Sequence, residues 1–187
     1  MNTQAHPTRK LTRSPRRRQG GNALVWMLLA MVIGGILVAT GVQQYSQAER
    51  TSSAAGVSTE VQSIIGETKA SFGQYAYVGL TTAIAVGGAI IPRRLATGAA
   101  TANNKYSGAI TLVDNNAATQ GTALLSYANV PQDECKSIVV ATEALARQVQ
   151  VGGVDVKPLD AALLPATLNA QCIGAAQVPI TWTIGRT

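Results

Sequence analysis

Between Arg18 and Glu49 the chain carries no charge, and inside that interval Ala23 to Val42 is a run of 20 mostly apolar residues. As a helix such a run spans about 30 Å, the thickness of a bilayer's hydrocarbon core. Arg16, Arg17 and Arg18 stand directly before it. A basic flank holds its own side of a membrane in the cytoplasm. The pattern predicts one crossing, with the chain beyond about residue 47 exported.

This reading changes what the charge means. The full chain has 15 basic and 9 acidic residues, a net charge of +6. Six of the basic residues (Arg9, Lys10, Arg13, Arg16, Arg17 and Arg18) lie in the first 21, which hold no acid. The remainder is formally neutral, so the basicity belongs to a leader and predicts no direct nucleic-acid binding by the exported part. After the apolar run about 140 residues remain, enough for one domain with its own core. Both cysteines, Cys135 and Cys172, fall there. In an oxidising compartment two cysteines most simply form one disulfide, the alternative being two buried thiols.

Residues 1–21 show no apolar periodicity and carry Pro7 and Pro15, as a targeting segment does. A secretory signal peptide would need a shorter apolar core and a better small-x-small site than the region of Ala39 offers. A twin-arginine signal would need a better context than Arg17-Arg18-Gln19-Gly20. The third scheme is a basic leader cut on the cytoplasmic side, at a glycine just before the apolar run. In this third form the segment resembles the type IV prepilins. Gly21-Asn22-Ala23-Leu24-Val25 is similar to their peptidase site, with the cut between Gly21 and Asn22, or alternatively after Gly20. The resemblance implies processing by a prepilin peptidase and makes N-terminal methylation a question. It also implies glutamate at the fifth mature position, where it pairs with a neighbour's amino terminus. This chain has Trp26 there, a departure that favours a specialised or minor subunit.

The helix is expected to run on past the apolar part. Val57, Val61, Ile64, Thr68 and Phe72 recur at helical spacing, with Glu49, Arg50, Glu60, Glu67 and Lys69 as polar positions between them. Gly56 and Gly66 weaken the pattern without ending it. One helix from Asn22 to about Tyr77 would be on the order of 80 Å long. Ala30 with Gly34, and Gly35 with Ala39, form small-xxx-small pairs that allow helices to approach closely in an apolar medium.

Beyond it, Gly73–Thr101 reads as a loop with a short helix near Thr81–Val86. Arg93-Arg94 reads as a solvated turn. Ala109–Val113 and Thr122–Ala128 read as strands around the turn Asp114-Asn115-Asn116. Asn129 and Pro131 are expected to open a helix whose first turn holds Asp133 and Glu134 and whose buried face is Ile138, Val139, Thr142, Leu145 and Val149. Gln148–Val151 and Val154–Lys157 flank Gly152-Gly153 as a hairpin. Pro158 and Pro165 bound a turn or short helix leading to Cys172, and Pro179–Ile184 alternates as a last strand.

Tyr75–Pro92, the strand opening Asn104-Lys105-Tyr106-Ser107-Gly108, and Val130-Pro131-Gln132-Asp133-Glu134-Cys135-Lys136 resemble, in this order, type IVb pilins of conjugative thin pili. Cys172 before the last strand is similar to the segment that closes their disulfide. The resemblance implies an α+β type IV pilin fold, a long N-terminal spine helix packed on an antiparallel sheet, with a C-terminal disulfide. The expected divisions are a cleaved leader 1–21, a helix 22–77 with 23–42 as transmembrane segment and filament core, and a head 78–187. The implied partners are other copies of the chain in a helical homopolymer, the peptidase, the inner-membrane assembly platform, and the inner membrane before assembly. The implied location is the inner membrane first, with the head in the periplasm, and then an extracellular pilus.

The residue inventory argues against catalysis. The one histidine, His6, is in the leader, so the exported part has no His to activate a nucleophile and an inadequate set for zinc. No phosphate-binding glycine motif occurs. No cofactor and no metal is expected. The leading reading is a structural pilus subunit serving attachment or conjugative DNA transfer. The alternatives are a type II-like pseudopilin or minor pilin, and a single-pass membrane-anchored periplasmic binding protein.

Overall fold

The structure, a computed structural model, describes residues 22–119 and 121–185, and their side chains except at 22–24 and 34–50. Helix α1 occupies Asn22–Phe72. The chain falls into two compact units, 1–44 and 45–187. In the first, Val25 through Leu29 and Met31 through Ile33 are all exposed. Among the described residues no helix is long and apolar enough to cross a membrane, and most of the run 23–42 lies outside those whose side chains are described.

The second unit begins inside α1. Val57, Val61, Ile64 and Thr68 are buried with Ala54 and Ile65, so the helical spacing in the sequence marks the face that meets the core. Each large aliphatic side chain buried there contributes about 1.5–3 kcal/mol relative to exposure. Thr68 and Ser58 reach the core because each hydroxyl donates to the carbonyl four residues back, Ile64 and Ala54. The helix ends at Phe72, earlier than Tyr77. A 3-10 turn over Gly73–Tyr75 follows, and then Ala76 and Tyr77 take φ of +53° and +59°. Two successive left-handed residues cannot continue a right-handed helix.

A short helix α2, Thr82–Gly87, is capped by the Thr81 hydroxyl accepting from Ile84 N. Six antiparallel strands then form one sheet: β1 Ala102–Asn103, β2 Ala109–Asp114, β3 Thr122–Pro131, β4 Gln148–Val151, β5 Val154–Lys157 and β6 Gln177–Gly185, in the order β1-β2-β3-β6-β4-β5. The last strand is therefore central, inserted between β3 and β4. Ile110, Leu112, Leu125, Tyr127, Val149, Val151, Ile180, Trp182 and Ile184 form the buried face of the sheet. Helices α3, Gln132–Thr142, and α4, Pro165–Ile173, complete the unit.

The helix opening assigned to Asn129 and Pro131 is corrected. Strand β3 continues to Pro131, and α3 starts one residue later with no side-chain cap. Asn129 has φ +58° and sits in a bulge between Tyr127 and Val130. Asn tolerates that conformation, which explains its place as well as a cap would. The bulge also admits Pro179 into a central strand, because the register skips the residue opposite it. The β4–β5 hairpin has the predicted turn, with both Gly152 and Gly153 at positive φ.

Candidate assembly site

Two buried glutamates tie α1 to its neighbours, Glu60 to the sheet and Glu134 to α3 and the loop at Tyr106. Glu60 accepts from the Tyr127 hydroxyl at 2.7 Å and from Arg94 Nη2 at 3.0 Å. It is therefore a core residue, where helical spacing placed it among the polar positions. Its partner Arg94 lies on the 3-10 turn Arg93–Leu95, so half of the basic pair is engaged. Glu134, in the first turn of α3, accepts from Ser53 Oγ of α1 at 2.6 Å and from the Tyr106 hydroxyl, with Lys105 at 3.9 Å. Burial, then the bond to Glu134, pushes the Tyr106 phenol well above its ordinary value. Burial, then the charge of Glu60, does the same to Tyr127.

Local geometry sets these partners. Asn104 accepts from Tyr106 N and Gly108 N through Oδ1 and donates Nδ2 to Ala128 O, fixing the turn that presents Tyr106. Any side chain at Gly108 would collide with that strand, because an added Cβ would lie 2.0 Å from Ala128 O. Trp182, fully buried, donates Nε1 to Thr142 Oγ1 at 2.9 Å and meets the Tyr127 ring edge-on at 5.7 Å. The core face of the sheet is thus held to α1 by Glu60 and to α3 by Thr142.

Cys135 and Cys172 form a disulfide between α3 and α4, with Cα atoms 5.7 Å apart and both side chains buried. Trp26 is on α1 and 67% exposed, and Ala30 is exposed as well. Gly34, Gly35 and Ala39 lie in the helical backbone of α1, with side chains outside the described ones, and Asn22 is its first residue. Gly21 lies outside the described residues. The structure thus brings the two cysteines together. No group of three or more His, Cys, Asp or Glu suited to a metal occurs among the described residues.

Residues 51–185 match the family described as PilS N terminal. The chain belongs to that family of type IV pilus proteins. No curated protein matches it in sequence. Among solved structures, the crystal structure of TcpA, a type IV pilin from Vibrio cholerae El Tor biotype, is similar at a TM-score of 0.48 and 10% identity, covering 74% of this chain and 99% of that one. The family assignment rests on the sequence match. It fits the architecture, a type IV pilin arrangement of an N-terminal helix on an antiparallel sheet with a C-terminal disulfide.

Proposed function

We propose that this pilin is the structural subunit of a type IVb pilus, exported, processed between Gly21 and Asn22, and polymerised into a surface filament for attachment or conjugative DNA transfer. The observation that carries the reading is the combination of the family match with a charge-free, apolar start to α1. Before assembly that helix rests in the inner membrane as a single crossing with the head in the periplasm. In the filament it exchanges lipid for neighbouring copies of itself. Lipid and neighbouring helices are about equally apolar, so packing and the assembly platform decide the direction. Its role is structural, and it takes no cofactor.

Processing tests the reading. The prepilin peptidase must reach the backbone closely, which a glycine permits. Gly21→Leu is expected to leave full-length precursor on a gel. Unchanged processing would move the cut from this bond, and unchanged processing of a Gly20→Leu, Gly21→Leu double variant would remove the prepilin reading. The spine gives a second test. Gly34→Leu adds apolar surface, so insertion should persist, while close approach of neighbouring helices is lost and filaments become scarce. Normal filament yield would exclude Gly34 from the packing.

A pseudopilin or minor pilin is the second reading, favoured by exposed Trp26 where the family's glutamate is expected. Low abundance in sheared filaments would select it.

A further inference from the structure

Two ammonium groups meet at one cavity of the head without an ion-pair partner among the described residues. The cavity, about 270 Å³, is lined by Lys69 of α1, the segment 144–147, Lys157 of β5, Asp160 and Ala161. It forms where α3 ends. A 3-10 turn over Glu143–Leu145 leaves carbonyls there for outside donors. Lys69 Nζ donates to Leu145 O at 3.0 Å, and Lys157 Nζ to Glu143 O at 2.6 Å and Ala146 O at 2.8 Å.

An ammonium has three protons. The carbonyls take one from Lys69 and two from Lys157, so protons remain on both and the side chains are tethered in place. Burial lowers the Lys69 amine, as it does for a cation short of solvent and counter-ion. Arg147 gives Nε and Nη2 to Asp160, which is held below its ordinary value first by that bond and also by the charge of Lys157. Three cations thus face one carboxylate that is already bound. The volume lies just under the range of about 300–1,000 Å³ usual for drug-sized ligands, so the site suits one small group.

We propose that this cavity binds the anionic end of a phosphate or sulfate monoester. The spare protons of Lys69 and Lys157 and the guanidinium nitrogen of Arg147 not given to Asp160 would hydrogen-bond the anion and oppose its charge. Ala144, Ala146 and Ala161 leave room beside it for the carbon skeleton of the ester. All of its lining residues lie in the unit 45–187.

The test uses the full chain in uncharged detergent, with inorganic phosphate and inorganic sulfate as probes at constant ionic strength. Saturable shifts of the amide signals of 144–147 and 157–161 are expected. Shifts that chloride reproduces at equal ionic strength would overturn the proposal. Lys69→Met should weaken binding roughly tenfold, one charge contact's worth, while Lys69→Arg retains it at the same melting temperature. Both lysines bond carbonyls at the end of α3, Lys157 two and Lys69 one, so the melting temperature of Lys69→Met is read beside its binding to separate lost binding from lost folding. Equal binding by the Met and Arg variants would again overturn it. Glycerol 3-phosphate and glucose 6-phosphate distinguish the sources: preference for the first points to a lipid headgroup, preference for the second to a glycan, and binding of neither contradicts the site.

Discussion

Glu134 receives hydrogen bonds from Ser53 and Tyr106, residues 81 and 28 positions away in the chain. Truncating one partner strands the others. Tyr106→Phe and Glu134→Leu are each expected to lower unfolding free energy by about 1–3 kcal/mol in chemical denaturation. Measured together they should cost less than their sum, because both remove one bond. The same geometry sets an alkaline limit. Tyr106 and Tyr127 are held protonated in the fold, while an unfolded tyrosine ionises near pH 10. The unfolded state therefore releases protons that the folded state keeps. The stability these phenols contribute is fully present below about pH 10 and falls as pH rises above it. A denaturation series from pH 8 to 11 should show that fall, and a smaller one in Tyr106→Phe. None of these contacts was legible beforehand. Glu60 sits at a helical position that reads as polar, and its burial depends on Arg94 and Tyr127, which are distant in sequence.

At the scale of elements more was legible. Helical spacing marked the buried face of α1, and paired glycines marked the β4–β5 hairpin. What misled was local chemistry with two uses: Asn before Pro suits a helix start and suits a bulge, and the bulge prevailed because β3 continues pairing with β6 through Pro131. The two-residue β1 gives no periodicity to find. Gly56 and Gly66 do not interrupt α1, and nothing lies within 4 Å of a Cβ added at either. Gly66→Ala should therefore raise stability by about 0.5–1 kcal/mol. A loss of stability would mean that the helix bends or packs there. The disulfide belongs to this scale too. It links residues 37 apart, and closing such a loop stabilises by about 4 kcal/mol in the chain-entropy model. Cys135→Ser, Cys172→Ser and the double variant should unfold at the same denaturant concentration, well below the parent. A double variant clearly less stable than either single would show a second role for one of the thiols.

At the scale of the whole molecule, α1 carries two kinds of surface. Residues 54–68 bury one face in the head, whereas the large apolar side chains from Val25 to Ile33 remain uncovered in the single chain. Large exposed apolar surface of this kind marks an interaction site. The helical spacing of Val57, Val61, Ile64 and Thr68 was visible in the sequence and marks the face that residues 54–68 bury. The insertion of the final strand into the middle of the sheet was not, because nothing in Pro179–Ile184 by itself names its neighbours. The central claim, a leader-processed subunit that polymerises, is tested most directly by the intact mass of the chain recovered from sheared cell-surface filaments. The mass predicted is that of the chain beginning at Asn22, with or without one methyl group on the new amine. Recovery of the full-length chain from the membrane fraction, with none in filaments, would contradict it.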